Sequence, residues 1–469
     1  MKKISIVHGE LSSDIMRRAI ALLSEWIPDY TFEYPACFSC EEAEKTENFS
    51  EIYRAIYVGT KENHRYIREN STFALKYPEE YGISVSDGQI TVEGFDDRGV
   101  LYGCIELYNR YFLKQEYTYN DKYLCPIERW SFPDFRYTSR PSVKERGIWT
   151  WGHVIYDWRG FLDNMVKLRM NTLTLWNDHP PMNAREIVAY AHTCGIRVIW
   201  GFPWLWDTDC KKIPFDRLCE YSEGIFRKYE EEYGDLPVDG IYFQTVTEFR
   251  EEVVNGVSVA EAVTAFVNHT ASYFYEKYPS LEIQFGLHAD CVKNRLDAVA
   301  GVDPRIRIVW ENCGDFPFSY MPFQVERFGE TADFVRRITS LRGEGERFGA
   351  VTKGLTKLDW SAFEHLGGAA WIGASSKAMK ENRVIRKRKI WRFVQAFWLT
   401  NADKAMEMVR IMAEGTGGDT TVTALIEDGM FEENIPFPAA LFAEMLWNAD
   451  GDVKEMINEV ALRAYVDFA

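Results

Sequence analysis

The sequence predicts an α/β protein: a (β/α)8 barrel preceded by a small α/β sandwich domain and followed by a helical extension. Three observations predict it. From Arg146 onward, short apolar runs alternate with helical stretches in units of roughly 30–40 residues, the rhythm of parallel βα units. Eight such runs can be counted, the number that closes a barrel. The first of them leads into Trp149-Thr150-Trp151-Gly152-His153, which is not the Gly-rich phosphate loop of an open doubly wound sheet.

The first domain is assigned to residues 1–135. Ile4–His8 reads as a strand and Ser13–Trp26 has helical spacing. Ala55–Gly59 is a second buried strand, followed by a helix over Glu62–Arg68. Two alternating runs, Tyr81–Ser86 and Gln89–Gly94, flank Asp87-Gly88, a hairpin signal. Asp96 or Asp97 caps the amphipathic helix that runs on to Leu113. The Pro- and aromatic-rich stretch 120–141 reads as a linker.

The barrel is assigned to 140–400. Its expected strands are Gly147–Trp151, Thr172–Trp176, Arg197–Phe202, Gly240–Thr245, Glu282–Leu287, Arg307–Trp310, Phe348–Thr352 and Ala369–Ile372. The extension, 401–469, is read as helical up to Phe468-Ala469, as though the chain stopped inside a helix that continues in a longer natural protein.

Composition narrows the function. At 46% hydrophobic residues the chain can bury a large core. A formal charge of −17 opposes nucleic acid as a partner. The start, Met1–Glu10, has no long apolar run, so neither a signal peptide nor a membrane partner is expected. Nine cysteines, an odd and scattered set, fit reduced thiols in a cytoplasmic protein. Cys37 and Cys40 form a lone C-x-x-C pair with no second pair or histidine cluster, so no metal and no cofactor are expected.

Barrel chemistry sits at the C-terminal ends of the strands. There the sequence offers Trp149 and Trp151; Trp176, Asn177, Asp178 and His179; Trp204 and Trp206; Glu248; His288 and Asp290; Trp310, Glu311 and Asn312; and Trp371. Carboxylates beside indole rings suit a carbohydrate substrate. Cleaving a glycosidic bond takes two carboxyl groups, and flat rings pack on the C–H face of a sugar. Glu248 is the expected general acid, its pKa raised by neighbours such as Tyr242 or Phe249. Glu311 is the expected second carboxylate, with Asp290 and Asp178 in reserve. The tryptophans are expected to wall the pocket, and Asn177, His288 and Asn312 to hold hydroxyls.

Tyr81–Gly103, with Asp96, Arg98, Gly99, Tyr102 and Gly103 in a D-x-R-G-x-x-Y-G turn, resembles the small domain that precedes the barrel in β-N-acetylhexosaminidases (glycoside hydrolase family 20) and α-glucuronidases (family 67). Lys144–Ile148 and Met170-Asn171-Thr172-Leu173 resemble the first two strand entries of such barrels. The resemblance covers most of residues 80–205 and implies an exo-acting glycosidase. Hexosaminidases carry an Asp-Glu pair after the fourth strand, the Glu acting as acid and the Asp orienting the substrate's acetamido group. Thr247-Glu248 matches it here, keeping the acid and lacking the Asp. The glucuronidase type pairs an acid Glu with carboxylates from later strands, an outline that Glu248 and Glu311 fit. Two alternatives remain: a substrate-assisted hexosaminidase, and a non-catalytic carbohydrate-binding relative.

Overall fold

The computed structural model describes residues 2–28, 34–86, 88–112, 117–120, 123–126, 134–177, 179–205, 212–247, 251–288, 292–311, 328–343, 346–355, 368–416, 419–426 and 430–468. The chain divides into two compact units. One comprises Met1–Pro141 with Thr193–Gly195 and Ala461–Ala464, and the other the remainder.

The first unit is built on a six-stranded sheet: β1 (Lys3–His8), β2 (Ala36–Ser39), β3 (Tyr53–Gly59), β4 (Tyr81–Ser86), β5 (Gln89–Gly94) and β6 (Phe135–Ser139), in the order β2-β1-β3-β5-β4-β6. β1, β2 and β3 run parallel, and β4 and β5 form the expected hairpin, with Gly88 at φ 76° in its turn. Helix α1 (Asp14–Trp26) starts where the Ser13 hydroxyl accepts the Met16 N–H, and buries Met16, Ala19, Ile20 and Leu23, a helical stripe. Helix α2 (Asp97–Leu107) is capped by Asp96, whose carboxylate accepts the Gly99 N–H at 2.8 Å. Part of the expected linker is structured: β6 pairs antiparallel with β4, because alternating Phe135, Tyr137 and Ser139 suit an edge strand.

The second unit contains a closed barrel of eight parallel strands: β7 (Glu145–Trp151), β8 (Thr172–Trp176), β9 (Arg197–Gly201), β10 (Gly240–Gln244), β11 (Glu282–His288), β12 (Arg307–Glu311), β13 (Phe348–Thr352) and β14 (Thr420–Leu425), with β14 pairing back onto β7. The fold is the (β/α)8 barrel. Seven strands fall where the sequence places them. The eighth does not: Ala369–Ile372 is not a strand, and Thr420–Leu425 closes the barrel beyond residue 400. Thr420-Thr421-Val422-Thr423-Ala424-Leu425 is rich in β-branched residues and alternates in period two. Thr421 donates to Glu145 Oε2, its register partner on β7, at 2.5 Å.

Helices interleave with these strands. They include α3 (Trp158–Lys167), capped by Asp157, α4 (Ala184–Thr193), α5 (Ser222–Glu232), α6 (Val259–Lys277) and α7 (Phe328–Thr339). The long α8 (Lys377–Gly415), broken in its backbone angles at Asn401, precedes β14, and α9 (Phe437–Trp447) and α10 (Val453–Ala461) follow. Residues Val466–Asp467 are not helical but pair with Ile435–Pro436. No helix among the described residues is long and apolar enough to cross a membrane.

Candidate active site

Side chains alternate along each barrel strand, so every second residue points inward. At the N-terminal end these residues form a charged floor. Glu282 Oε2 meets Arg197 at 2.9 Å, its Oε1 meets Arg307 at 3.1 Å, and Glu145 pairs with Arg197. Above the floor lies an apolar, ring-rich layer of Trp149, Trp151, Trp176, Ile199, Tyr242, Val309, Val351 and Leu425. Trp149 is its hub. Its ring centroid lies 4.5 Å from Trp151, 6.2 Å from Trp176 and 5.8 Å from Tyr242. Trp151 and Trp176 are register partners at the ends of β7 and β8.

Beside this layer, at the C-terminal ends of β10 to β13, four donors converge on Glu311. Its Oε1 accepts the Tyr242 hydroxyl and the Gln244 amide. Its Oε2 meets His288 Nε2 at 2.9 Å and Lys353 Nζ at 3.3 Å. An ionised carboxylate offers about four lone-pair sites, so this one is saturated. Burial by itself would raise the Glu311 pKa. The charges of His288, when it is protonated, and of Lys353 outweigh it and hold the carboxyl far below the ordinary carboxylate value. Its surroundings thus favour the anion, and its side chain is 1% exposed. Lys353 Nζ also lies 6.0 Å from the Trp149 ring centroid, which ties the polar cluster to the aromatic layer.

Of the sequence-derived residues, the structure brings together Trp149, Trp151, Trp176, His288 and Glu311. Asn177 is buried at the end of β8 against Gly152, and His179 is exposed beyond it. Two tryptophans need correcting as pocket walls. Trp204 is fully buried, stacked on Phe243 at 3.6 Å with Phe274 of α6 at 5.4 Å, and has no face left for a sugar. Trp310 alternates with the inward Glu311 and so packs outward on Phe334 of α7. Trp371 is 56% exposed in a segment without regular structure. The expectations for Asp178, Trp206, Glu248, Asp290 and Asn312 lie outside the described residues.

Sequence reasoning passed over Tyr242, Gln244 and Lys353 as site residues. Tyr242 is not an apolar neighbour alone, because its hydroxyl binds Glu311. The missed signal was period two: Gly240, Tyr242 and Gln244 share one face of a fully buried strand, and the two polar tips on that face need a partner inside. Among the described residues no group of three or more His, Cys, Asp or Glu side chains could hold a metal.

No family model and no curated protein matches the chain. Solved structures do. A β-N-acetylhexosaminidase from Bacteroides fragilis aligns with 98% of this chain and 90% of its own, at TM-score 0.55 and 14% identity. A glycoside hydrolase of family 138 that targets pectin rhamnogalacturonan II aligns over 97% of this chain at TM-score 0.55 and 15% identity. The chain spans 65% of that enzyme's length. A chitobiase from Flavobacterium johnsoniae aligns over 98% of this chain and 68% of its own, at TM-score 0.52 and 13% identity. The likeness is one of fold.

Proposed function

We propose that the chain is an exo-acting glycoside hydrolase whose substrate sugar enters at the C-terminal ends of β10 to β13. The observation that carries this reading is the convergence of Tyr242, Gln244, His288 and Lys353 on Glu311 beside Trp151 and Trp176. Such a set supplies fixed hydrogen-bonding groups and ring faces, which a polyhydroxylated ligand requires. The barrels similar in fold, which include a chitobiase and a β-N-acetylhexosaminidase, support a sugar substrate.

In this reading Glu248 is the general acid, four residues beyond the end of β10. Glu311 is a poor choice for the partner that attacks or activates water. Its lone pairs are taken by donors, and its proton affinity is lowered by the Lys353 ammonium and the adjoining His288. The partner carboxylate is therefore assigned to Asp290, two residues beyond His288. Thr247, which stands where a substrate-assisted enzyme has its orienting Asp, is fully buried and brings no carboxylate. That weighs against the substrate-assisted route.

A screen of aryl glycosides with the wild-type chain, Glu248→Gln and Asp290→Asn tests the proposal. Glu248→Gln is expected to slow turnover by about a hundredfold or more, the usual scale for a lost general acid. Unchanged turnover in Glu248→Gln removes it from the mechanism. Absence of turnover by the wild-type chain on every sugar and both anomers overturns the hydrolase reading.

A further inference from the structure

The sheet of the first unit has two unlike faces. Ile83 and Val85 of β4 and Ile90 and Val92 of β5 are buried on one of them. On the other, Ser84 pairs with Thr91 of β5 and with Arg136 of β6, and Ser86 pairs with Gln89, so five polar side chains stand side by side. A polar outer face is ordinary for antiparallel strands. This one is roofed. The short helix Arg65–Asn70 and the chain from it to Phe73 border, with these five residues, a cavity of about 320 Å³.

The roof is pinned to the sheet. Phe73 is buried against Gly82, where a Cβ would come within 2.7 Å of the ring. Lys61 Nζ donates to the Phe73 carbonyl at 2.6 Å and Arg136 Nη2 to the Thr72 carbonyl at 2.7 Å. The Arg136 guanidinium also lies 4.5 Å from the Phe73 ring centroid. Tyr66 is stacked on Tyr57 at 3.7 Å, and its hydroxyl donates to Gln89 Oε1 at 3.1 Å. Asn70 Nδ2 donates to the Tyr66 carbonyl at 2.9 Å. These bonds orient both amides, so that Gln89 has its Nε2 to donate with and Asn70 its Oδ1 to accept with.

We propose that this cavity of the first unit binds a single neutral sugar unit. A sugar hydroxyl both donates and accepts, and the Ser84, Ser86 and Thr91 hydroxyls do the same, with the two amides adding a fixed donor and a fixed acceptor. An anion calls instead for converging cations or backbone N–H groups. Arg136 is the cation among the lining residues, and its Nη2 is already engaged by Thr72. The volume lies at the lower end for ligand pockets, about 300 Å³, which suits one ring. The pinned roof holds the lining groups in place before a ligand arrives, which lowers the ordering cost of binding. The lining alone carries the assignment, without the glycosidase reading.

Saturation-transfer NMR titrations of the full chain with glucose, galactose, mannose, xylose and N-acetylglucosamine test the site. At least one of these sugars is expected to bind with a dissociation constant of about 1–10 mM, the range for one small ring. Ser84→Trp fills the cavity and should weaken that binding by about tenfold or more. Thr91→Val keeps the shape, removes one hydroxyl and should weaken it by about threefold. If Ser84→Trp does not fold, Thr91→Val and Gln89→Ala decide, each expected to weaken binding. Binding by none of the five sugars, or binding that these variants leave unaltered, overturns the proposal. Inorganic phosphate is titrated in parallel. Phosphate binding that is lost in Arg136→Gln, in a chain that takes up no sugar there, marks an anion site and also overturns it. A chain that hydrolyses no glycoside yet binds a sugar in a Ser84- and Thr91-dependent manner sinks the hydrolase reading and leaves this site standing. Turnover of an aryl glycoside beside sugar binding indifferent to both residues does the reverse.

Discussion

Gly286 is the gap through which the Tyr242 hydroxyl reaches Glu311. Tyr242 lies on β10 and Glu311 on β12, and β11 runs between them. Gly286 of β11 pairs with Gln244 on one side and Val309 on the other. A Cβ there would overlap the tyrosine hydroxyl and come within 2.8 Å of Glu311 Oε1. Only an absent side chain lets the hydrogen bond cross a strand. Gly286→Ala is therefore expected to destabilise the barrel by about 1–3 kcal/mol, the cost of overpacking a dense interior. Urea midpoints measure it. The penalty should shrink in a Tyr242→Phe background, where the colliding oxygen is gone, and equal penalties in the two backgrounds would refute the crossing.

Trp204 and Trp371 should behave oppositely although both follow the same Trp-at-a-strand-end reading. Trp204 is packed between Phe243 and Phe274 with no exposed surface, so Trp204→Ala should cost about 3–5 kcal/mol by opening a cavity. Trp371 is largely solvated, and Trp371→Ala should stay within about 0.5 kcal/mol. Thermal or urea unfolding of the two variants compares them directly. Comparable losses would contradict the placement of both rings.

That contrast shows what sequence could and could not convey here. The βα rhythm and seven barrel strands were legible because a parallel strand buried on both faces is a continuous apolar run. β14 was hidden by its own chemistry: its threonines read as polar, yet Thr421 and Thr423 find Glu145 and a backbone acceptor in the barrel, and Thr420 bonds the Met412 carbonyl of α8. Tryptophan position told less than tryptophan parity. Trp149, Trp151 and Trp176 lie on inward-facing positions, whereas Trp310 is one residue off that phase and joins the helix layer. Glu311 was legible as a carboxylate at a strand end. Its four donors come from β10, β11 and the residue that follows β13, and no local pattern brings residues 242, 244, 288 and 353 together.

The floor of the barrel should give the chain an acid-sensitive stability. Burial tends to raise the Glu282 pKa, but Arg307 and Arg197 overcome it and bring it down to about 2 from an ordinary 4.5. A carboxyl whose folded pKa is lowered stabilises the fold fully above 4.5, and that contribution drains away as pH falls from 4.5 towards 2. Glu282→Gln is expected to lose about 3 kcal/mol at neutral pH, since it removes the buried carboxylate that Arg197 and Arg307 share. It should also unfold with a shallower pH dependence below 4.5 than the wild-type chain. Urea titrations at stepped pH measure both, and parallel wild-type and variant curves across that window would remove Glu282 from the acid transition.

Asn177 presents the reverse case, a residue whose burial costs stability. It sits at the end of β8, 1% exposed, and among the described residues neither atom of its amide has a hydrogen-bond partner. A buried amide without partners costs about 1–3 kcal/mol, which a fold tolerates where a ligand later supplies the bonds. Leucine has the same branching without the polar atoms. Asn177→Leu should therefore match or exceed the wild-type chain in stability, by up to about 1 kcal/mol, while lowering kcat/KM on the preferred aryl glycoside. Stability and activity moving in opposite directions is the signature of a polar group kept for a ligand. If Asn177→Leu instead destabilises the chain and leaves kcat/KM unchanged, the amide serves the fold and no sugar hydroxyl meets it.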